Sequence, residues 1–222
     1  MNFLLALTLL SAIVDWYAVY KGWKKLEYIL KPLTVVFLFS WLLASTGSLS
    51  GITLWFGIGL ILSMAGDIFL MLPKEQFIAG LVAFLLAHVA YIVGFNLSMP
   101  PFDLMASVWA ILIGLIAARL YQHISAGLTR QGKEALQKPV FAYTAVISIM
   151  LLSALLTIYR PDWEMRAALV VSLGATLFMI SDAILAWNKF VTPIKHGRVK
   201  NMAAYHLGQI ILIYGIVMQV GM

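Results

Sequence analysis

The stretch Trp55-Phe-Gly-Ile-Gly-Leu-Ile-Leu-Ser-Met-Ala-Gly-Asp-Ile-Phe-Leu-Met-Leu72 is almost entirely apolar, yet it carries one carboxylate, Asp67. About 20 such residues in a helix cross the ~30 Å hydrocarbon core of a bilayer. A second apolar stretch, residues 167–187, also carries one charged residue, Asp182, which two apolar residues and a leucine follow, as at Asp67. A carboxylate within a membrane span is costly unless it is protonated, paired or hydrated, so both aspartates are candidate functional residues.

The composition predicts a polytopic membrane protein. Of the 222 residues, 63% are hydrophobic and only 11% are charged, which is more apolar surface than a soluble domain of this size could bury. One integral membrane domain, residues 1–222, is expected because the apolar segments follow one another with short connections. The absence of cysteine excludes disulfides and thiolate metal sites. The N-terminus lacks the basic region of a cleaved signal peptide, so we interpret it as the first span.

Eight apolar segments are long enough to cross the membrane, and the predicted fold class is therefore all-α, a bundle of eight transmembrane helices. The second segment is short and follows Lys31-Pro32, so Pro32 is expected in the first helical turn, where a missing N–H is harmless. Residues 123–138 are expected to form a solvated connection. The predicted spans are residues 2–20, 32–47, 51–72, 77–98, 103–122, 139–159, 164–187 and 200–220.

The distribution of positive charge predicts the topology. Of the 15 Lys and Arg residues, only Arg160 and Arg166 fall in even-numbered connections. By the positive-inside rule, the opposite side is cytoplasmic and both termini lie outside, in what we expect to be a bacterial plasma membrane. This segregation also explains the net charge of +6 without a nucleic-acid partner. The odd-numbered connections hold Lys21, Lys24, Lys25, Lys31, Lys74, Arg119, Arg130, Lys133, Lys138, Lys189, Lys195, Arg198 and Lys200.

The topology places the two aspartates at one depth. Asp67 lies six residues before Pro73 and Asp182 lies seven before Lys189, on spans that run in the same direction. At 1.5 Å per residue, both would lie about 10 Å inside the cytoplasmic boundary. Other polar residues crowd the same half of the membrane, which predicts a polar pocket open to the cytoplasmic side. These residues are Asp15, Lys31, Tyr205, His206 and Gln209.

Two carboxylates in one pocket have a specific chemical use. They would titrate together and hold one proton between them, as a general acid beside an anion. Glycosidases use this arrangement to pass through an oxocarbenium-like state. The alternative is structural, because each aspartate could instead cap a neighbouring helix or pair with a cation, for which Lys31 and Lys189 are available.

The remaining polar side chains of the spans have both functional and structural interpretations. His88 and Tyr91 share a helix face and could relay protons or position water, or only form an interhelical hydrogen bond. Tyr205 and Gln209 are expected to line the pocket, whereas His206 points elsewhere. No His-x-x-x-His or Glu-x-x-His pair lies within one predicted helix and no Gly-x-Ser-x-Gly elbow is present, so neither a metal or other cofactor nor a serine nucleophile is expected.

A faint internal repeat relates the two halves of the chain. Residues 63–70 with 88–91 echo residues 178–185 with 205–209, at an offset of four spans. The offset predicts two parallel four-helix repeats, although chance would also explain so short a similarity.

Two motifs resemble the YhhN-like membrane family, which includes the lysoplasmalogenases, and the resemblance extends over nearly the whole chain. The first motif is Gly66-Asp67-Ile-Phe-Leu-Met-Leu-Pro73. It is followed by Phe77, Gly80, Phe84, His88 and Tyr91, in the spacing typical of the family. The second motif comprises Phe178, Ser181-Asp182, Leu185, Asn188-Lys189-Phe190, Pro193, Tyr205 and Gln209, and Lys31-Pro32 also fits.

The resemblance implies hydrolysis of the vinyl ether bond of lysoplasmalogens, which yields a fatty aldehyde and a glycerophospho-ethanolamine or -choline. Asp67 and Asp182 would carry the chemistry, without individual assignment of acid and base. Membrane lipids and a lysophospholipid substrate are the expected partners. A proton- or cation-coupled transporter and a non-catalytic lipid-binding protein are the alternatives. The residues expected to bind substrate or line the pocket are Lys31, His88, Tyr91, Asn188, Lys189, Tyr205 and Gln209.

Overall fold

A computed structural model describes residues 3–72, 76–98 and 103–221. These residues form eight helices long and apolar enough to cross a membrane, and no strand occurs among them, which confirms the predicted all-α class and the number of spans. Two short 3-10 helices, Glu134–Leu136 and Thr157–Tyr159, flank the sixth long helix. The long helices are α1 (Phe3–Lys21), α2 (Lys24–Thr46), α3 (Gly51–Met71), α4 (Phe77–Phe95), α5 (Leu104–Arg130), α6 (Gln137–Leu156), α7 (Met165–Phe190) and α8 (Gly197–Val220).

The closest helix pair is α7 with α8, and glycines make the close approach possible. A Cβ at Gly174 would lie 2.5 Å from the backbone nitrogen of Leu212, and one at Gly208 would lie 2.9 Å from that of Phe178. Small residues allow helices to pack backbone to backbone where lipid supplies no hydrophobic drive for association. The helix that carries Asp182 is therefore fixed in register against α8.

Burial separates a central helix from a peripheral one. In the most apolar segment of α8, 50% of the residues are buried, against only 11% in α5. Helix α5 presents exposed leucines and isoleucines, such as Leu112 and Ile116, outward. In a bilayer these side chains face lipid tails that are as apolar as they are. Helix α8 therefore lies near the centre of the bundle and α5 at its periphery.

The predicted start of span 2 is wrong. Helix α2 begins at Lys24, and Pro32 lies inside the helix instead of in its first turn. The residues before the proline, Lys24-Lys-Leu-Glu-Tyr-Ile-Leu-Lys31, are mostly good helix formers. Pro32 costs one hydrogen bond, because it has no N–H to donate to the carbonyl of Tyr28. The consequence is that Lys31 lies within the bundle, where it is 4% exposed.

Most of the predicted connection 123–138 is helical, because α5 continues to Arg130, a 3-10 helix follows at Glu134–Leu136 and α6 begins at Gln137. Ile124 and Leu128 are buried in a second hydrophobic cluster with Phe190 of α7. Gly127 allows this contact, since a Cβ there would lie 2.0 Å from the carbonyl oxygen of Phe190. Packing against α7 therefore prolongs α5 beyond its most apolar part, and Arg119 lies inside the helix instead of in a connection.

Other helix ends differ from the predicted spans by a few residues. Helix α4 ends at Phe95, α7 continues to Phe190, and α8 begins at Gly197 after His196, which has a left-handed φ of 55°. Pro73 and Lys74 lie outside the described residues. The single-domain organisation, the internal repeat and the membrane orientation stay predictions.

Candidate active site

Asp67 is held by two partners on two different helices. Its side chain is 1% exposed, and its Oδ1 lies 2.8 Å from the Nζ of Lys31 on α2. The hydroxyl of Tyr205 on α8 donates a hydrogen bond to Oδ2 at 2.6 Å. A buried charge is tolerated when it is paired and hydrogen-bonded in this way. The ammonium group of Lys31 thus compensates the charge of an ionised Asp67.

Glycines on α3 hold the neighbouring helix close to Asp67. A Cβ at Gly66 would lie 2.5 Å from the ring of Phe84, and one at Gly59 would lie 2.1 Å from the ring of Tyr91. Both rings belong to α4, so the glycines in the stretch around Asp67 bring α3 and α4 together. In the Gly66-Asp67 pair of the motif, the glycine therefore allows close helix packing, and the aspartate is the candidate functional residue.

Asp182 has a different set of partners. Its side chain is 17% exposed, its Oδ2 accepts a hydrogen bond from the hydroxyl of Tyr143, and the Nε2 of His88 lies 3.4 Å away. The same Nε2 lies 3.0 Å from the hydroxyl oxygen of Tyr143. Because Tyr143 has one hydroxyl hydrogen, and Asp182 accepts it, we infer that His88 Nε2–H donates to the tyrosine oxygen. His88, Tyr143 and Asp182 thus form a hydrogen-bonded chain across three helices.

One narrow, mainly apolar cavity of about 70 Å³ brings the two aspartates together. Asp67 and Asp182 both contribute to its wall, as do Lys31, Tyr143 and Tyr205. The remainder of the wall is apolar and comes mainly from α4, α5, α6 and α7. The predicted convergence of the two carboxylates on one cavity is therefore what the structure displays. A general acid and an anion in an apolar surrounding are suited to a reaction through a cationic intermediate.

A second, polar cavity of about 400 Å³ adjoins the first. We call it the polar cavity, and the first one the apolar cavity. The polar cavity lies at the end of the bundle that carries the odd-numbered connections. It is enclosed by the starts of α2, α4 and α8 and by the ends of α3 and α7. Lys31 and Asn201 belong to both walls. Its other polar residues are Lys24, Glu27, Tyr28, Asn188, Lys189 and Arg198.

Tyr91 and Gln209 were expected in the pocket, but they lie behind its wall. The Tyr91 hydroxyl donates a hydrogen bond to Oε1 of Gln209 at 2.8 Å, and both residues are buried. Neither lines either cavity. Their hydrogen bond joins α4 to α8 about one helical turn from Tyr205. His88 is fully buried and likewise absent from both walls, so it reaches the cavity only through Tyr143 and Asp182.

Asn188 and Lys189 lie on the wall of the polar cavity. The Oδ1 of Asn188 accepts a hydrogen bond from the backbone N–H of Ile194 at 2.8 Å, which fixes the turn between α7 and α8. The Nζ of Lys189 lies 5.2 Å from the centre of the Phe77 ring. Asn188 therefore has a structural use in addition to any contact with a ligand.

Asp15 and His206 lie beside the site without lining it. Asp15 is fully buried, and within the described part of the chain neither of its carboxylate oxygens has a hydrogen-bond partner. The charged side chains that act most strongly on Asp15 through electrostatics are Lys31, Glu27 and Asp67. His206 accepts a hydrogen bond from the indole N–H of Trp16 at 3.0 Å, so it connects α8 to α1, as its predicted direction away from the pocket suggests.

Sequence reasoning missed three features of the site. The first is Tyr143, the sole hydroxyl group that contacts Asp182 among the described residues. A lone tyrosine within an apolar span was a usable signal, as His88 was. The others are the Ser181–Asn201 contact, in which the amide of Asn201 donates to the Ser181 hydroxyl at 2.8 Å, and an ion pair between Glu27 and Arg198. The first joins the consecutive helices α7 and α8 and the second joins α2 to α8, and in neither case does a local sequence pattern indicate the contact.

Across residues 3–72, 76–98 and 103–221, no three His, Asp or Glu side chains converge as a metal site would require. The two aspartates instead have tyrosine, lysine and histidine partners. A reaction without metal stays a prediction, which a chelator can test.

Comparison with known proteins identifies the family. The model of the YhhN family matches residues 26–216, which includes both aspartates and most of the candidate site. The chain belongs to the YhhN family. The resemblance inferred from the Asp67 and Asp182 motifs is thereby confirmed. Together with the eight apolar helices, family membership makes the chain a multi-pass membrane protein.

Relatives of this YhhN protein include named enzymes. The chain is 30% identical over 185 residues to a mouse protein named lysoplasmalogenase TMEM86B, in an alignment covering 82% of the chain and 71% of the relative. It is 33% identical to the human lysoplasmalogenase TMEM86A, over 70% of the chain and 62% of the relative. An uncharacterized membrane protein YhhN of Escherichia coli is 24% identical, over 92% of the chain and 93% of the relative. No solved structure matches the chain.

Proposed function

We propose that this YhhN protein is a membrane hydrolase that cleaves the vinyl ether bond of lysoplasmalogens. The observation that carries the proposal is the placement of Asp67 and Asp182 on the wall of one apolar cavity. The relatives named lysoplasmalogenases support an enzyme of this kind.

The two adjoining cavities suit a lysolipid. Such a molecule has one hydrocarbon chain and one polar headgroup, and its vinyl ether lies between them. The apolar cavity would receive the vinyl ether and the start of the chain, and the polar cavity would receive the glycerophosphate and headgroup. Lys31 lies on both walls, so its ammonium group would lie at the boundary between the two cavities. The ether oxygen of the bound substrate would lie at that boundary as well.

The surroundings of the two aspartates favour a division of roles. Asp67 contacts the Lys31 ammonium group and accepts a hydrogen bond from Tyr205, and both interactions stabilise a carboxylate. Asp182 contacts a tyrosine and a histidine, without a lysine or arginine among its described partners. We therefore assign Asp182 as the proton donor and Asp67 as the anion that stabilises positive charge on the substrate.

The proposed reaction begins with proton transfer from the Asp182 carboxyl to the vinyl carbon that does not bear oxygen. The double-bond electrons form the new C–H bond, and the adjacent carbon becomes an oxocarbenium ion beside the Asp67 carboxylate. Water attacks this carbon and gives a proton to the Asp182 carboxylate, which restores the acid. The hemiacetal hydroxyl then gives up its proton and its oxygen forms the aldehyde C=O, while the bond to the glycerol oxygen breaks and that oxygen takes up a proton. The products are a fatty aldehyde and the free glycerophospho-alcohol.

The test is aldehyde release from a synthetic 1-alkenyl lysophospholipid by the detergent-purified protein, with and without EDTA. We expect release in both conditions, and loss of release in Asp67→Asn. The matched control is Asp162→Asn, which makes the same change in a connection at the other end of the bundle. Absence of release from folded wild-type protein, with several headgroups tried, would contradict the proposal. Proton flux in proteoliposomes would then identify the transporter alternative, and substrate binding without turnover the lipid-binding one.

We also propose that the polar cavity faces the cytoplasm, as the positive-inside rule predicts. The chain has no cysteine, so single cysteines report their side directly. A membrane-impermeant maleimide should label Pro161→Cys in intact cells and leave Lys195→Cys unlabelled until the cells are opened. The reverse pattern would invert the proposed orientation. Labelling of both variants in intact cells would contradict an even number of spans.

A further inference from the structure

The polar cavity has an ion pair on its wall that the proposed chemistry does not use. The Nη2 of Arg198, at the start of α8, lies 2.7 Å from Oε1 and 2.8 Å from Oε2 of Glu27 on α2. The Glu27 side chain is only 6% exposed, whereas that of Arg198 is 56% exposed. The carboxylate is therefore built into the wall, while the guanidinium group extends along the opening.

Each partner of this pair has hydrogen-bonding capacity left over. A guanidinium group has five N–H donors, and only one nitrogen of Arg198 contacts Glu27. Its Nε and Nη1 groups do not contact Glu27, so each keeps an N–H that can donate a charge-assisted hydrogen bond to a phosphate oxygen. The Glu27 carboxylate can accept about four hydrogen bonds in all, so it retains capacity for a cation. The pair thus offers one anion site and one cation site side by side.

The position of the pair relative to Asp67 matches the order of groups in a lysolipid. Glu27 precedes Lys31 by four residues on α2, so it lies about one helical turn, ~5.4 Å, farther from the Lys31–Asp67 contact. Lys24 and Lys189 add positive charge to the same wall. A phosphate would therefore meet several cations, whereas Glu27 is the one acidic side chain among the described residues of this wall.

We propose that Glu27 and Arg198 together form a receptor for the zwitterionic headgroup of the substrate. Arg198 binds the phosphodiester, and Glu27 binds the ammonium group of ethanolamine or the quaternary ammonium of choline. This inference rests on the proposed lysolipid hydrolysis and names the headgroup class that the site selects. Ethanolamine is the better ligand, because its ammonium group donates hydrogen bonds to Glu27, whereas choline offers only its charge.

A tether between α2 and α8 is the competing interpretation of the same pair. A tether stabilises the fold without regard to the substrate, so its loss would affect all headgroups equally. A receptor predicts a dependence on the headgroup. Substrates that differ only in the headgroup amine therefore separate the two interpretations.

The experiment measures kcat and KM of aldehyde release for three 1-alkenyl substrates: the lysophospho-ethanolamine, the lysophospho-choline and the amine-free lysophospho-ethanol, which keeps the phosphodiester. For Glu27→Gln we expect KM to rise about ten-fold for ethanolamine and less for choline, and not to rise for the amine-free substrate. For Arg198→Gln we expect KM to rise about ten-fold for all three. Exposed residues at the end of α5 and in the next connection provide matched controls, Glu134→Gln and Arg130→Gln, which should leave every KM unchanged.

The amine-free substrate also reports folding, because a misfolded Glu27→Gln protein would lose activity toward it. An equal rise of KM for all three headgroups in Glu27→Gln would overturn the receptor, as would unchanged KM values throughout. Wild-type protein without activity on any headgroup would instead contradict the proposed function. Both proposals can therefore fail separately.

Discussion

Asp67 and Asp182 have similar sequence contexts, yet the structure places them in different electrostatic surroundings. Asp67 is 1% exposed and paired with Lys31, and Tyr205 donates to its second oxygen. Asp182 is 17% exposed and hydrogen-bonded to Tyr143. The first site suits a fixed negative charge, and the second suits a group that gains and loses a proton. Similar motifs on two helices thus acquire different surroundings from the helices packed against them, and the proposed division of roles rests on that difference.

The largest expected effect is on turnover. Asp182→Asn should reduce kcat for aldehyde release by about 10²–10⁴-fold, because an amide cannot deliver the proton that general acid catalysis requires. Asp67→Asn should also abolish measurable turnover, because the cationic intermediate loses its counter-charge. Near wild-type kcat in either variant would remove that residue from the mechanism. Size-exclusion profiles of the detergent-solubilised variants would show that both still fold.

Thermal stability should distinguish Asp67→Asn from Asp182→Asn, although both variants are expected to lose turnover. Asp67→Asn leaves the Lys31 ammonium group buried without a counter-charge, and breaking a buried pair in this way costs about 3–5 kcal/mol. Asp182→Asn removes no lysine partner and should cost less. Thermal unfolding in one detergent would measure the difference.

A double variant tests whether the unpaired charge of Lys31 causes the loss of stability in Asp67→Asn. Lys31→Met combined with Asp67→Asn removes both charges, so it should unfold at a higher temperature than Asp67→Asn alone. Its turnover should stay abolished, since the anion is still missing. Equal unfolding temperatures for Asp67→Asn and Asp182→Asn would mean that Lys31 does not depend on Asp67 for its charge balance.

The two tyrosines provide a finer comparison. Tyr143→Phe and Tyr205→Phe each remove one hydroxyl that donates to an aspartate, with little change of shape. A hydrogen bond to a charged group corresponds to about a ten-fold effect on kcat. If Asp182 moves the proton, Tyr143→Phe should also shift the pH profile of kcat, whereas Tyr205→Phe should lower kcat without shifting it. Identical profiles for both variants would contradict the division of roles.

Much of the fold and part of the site could be predicted from the sequence. The bilayer imposes helices about 20 residues long, so apolar length alone indicated eight spans. A lone carboxylate in such a span is costly, which singled out Asp67 and Asp182. Their position in the same half of the membrane indicated Tyr205 and Lys31 as well, and the structure places both in the wall of the apolar cavity.

Local pattern was insufficient where tertiary packing decides the outcome. Lys31 was expected before span 2, yet α2 begins seven residues earlier, because an ion pair with Asp67 makes a buried lysine tolerable. Tyr91 and Gln209 were expected in the pocket, yet they form a hydrogen bond to each other behind its wall. Tyr143 and Arg198 lie 39 and 171 residues from the carboxylates that they contact, so no sequence spacing indicates those contacts.

The smallest expected effect comes from a counterpart of the Lys31–Asp67 pair in which the cation is buried and the carboxylate is exposed. Arg160 donates hydrogen bonds to both oxygens of Asp162, a residue that lies between α6 and α7 and is 48% exposed. These hydrogen bonds hold the pKa of the Asp162 carboxyl below its ordinary range. A lowered pKa in the folded state means that the stabilisation is present above the ordinary pKa, about 3.9, and is lost as the pH falls through the lower folded value.

Wild-type protein should therefore lose more stability than Asp162→Asn between pH 5 and 3, because the asparagine has no proton to gain. Solvent screens the exposed Asp162 carboxylate, so the difference should be below about 1 kcal/mol, well under that expected for Asp67. Paired thermal unfolding of the two proteins at each pH measures it, and the other carboxylates cancel in the comparison. A loss as large as that of Asp67→Asn would contradict the argument that burial, more than pairing as such, makes the Lys31–Asp67 contact important.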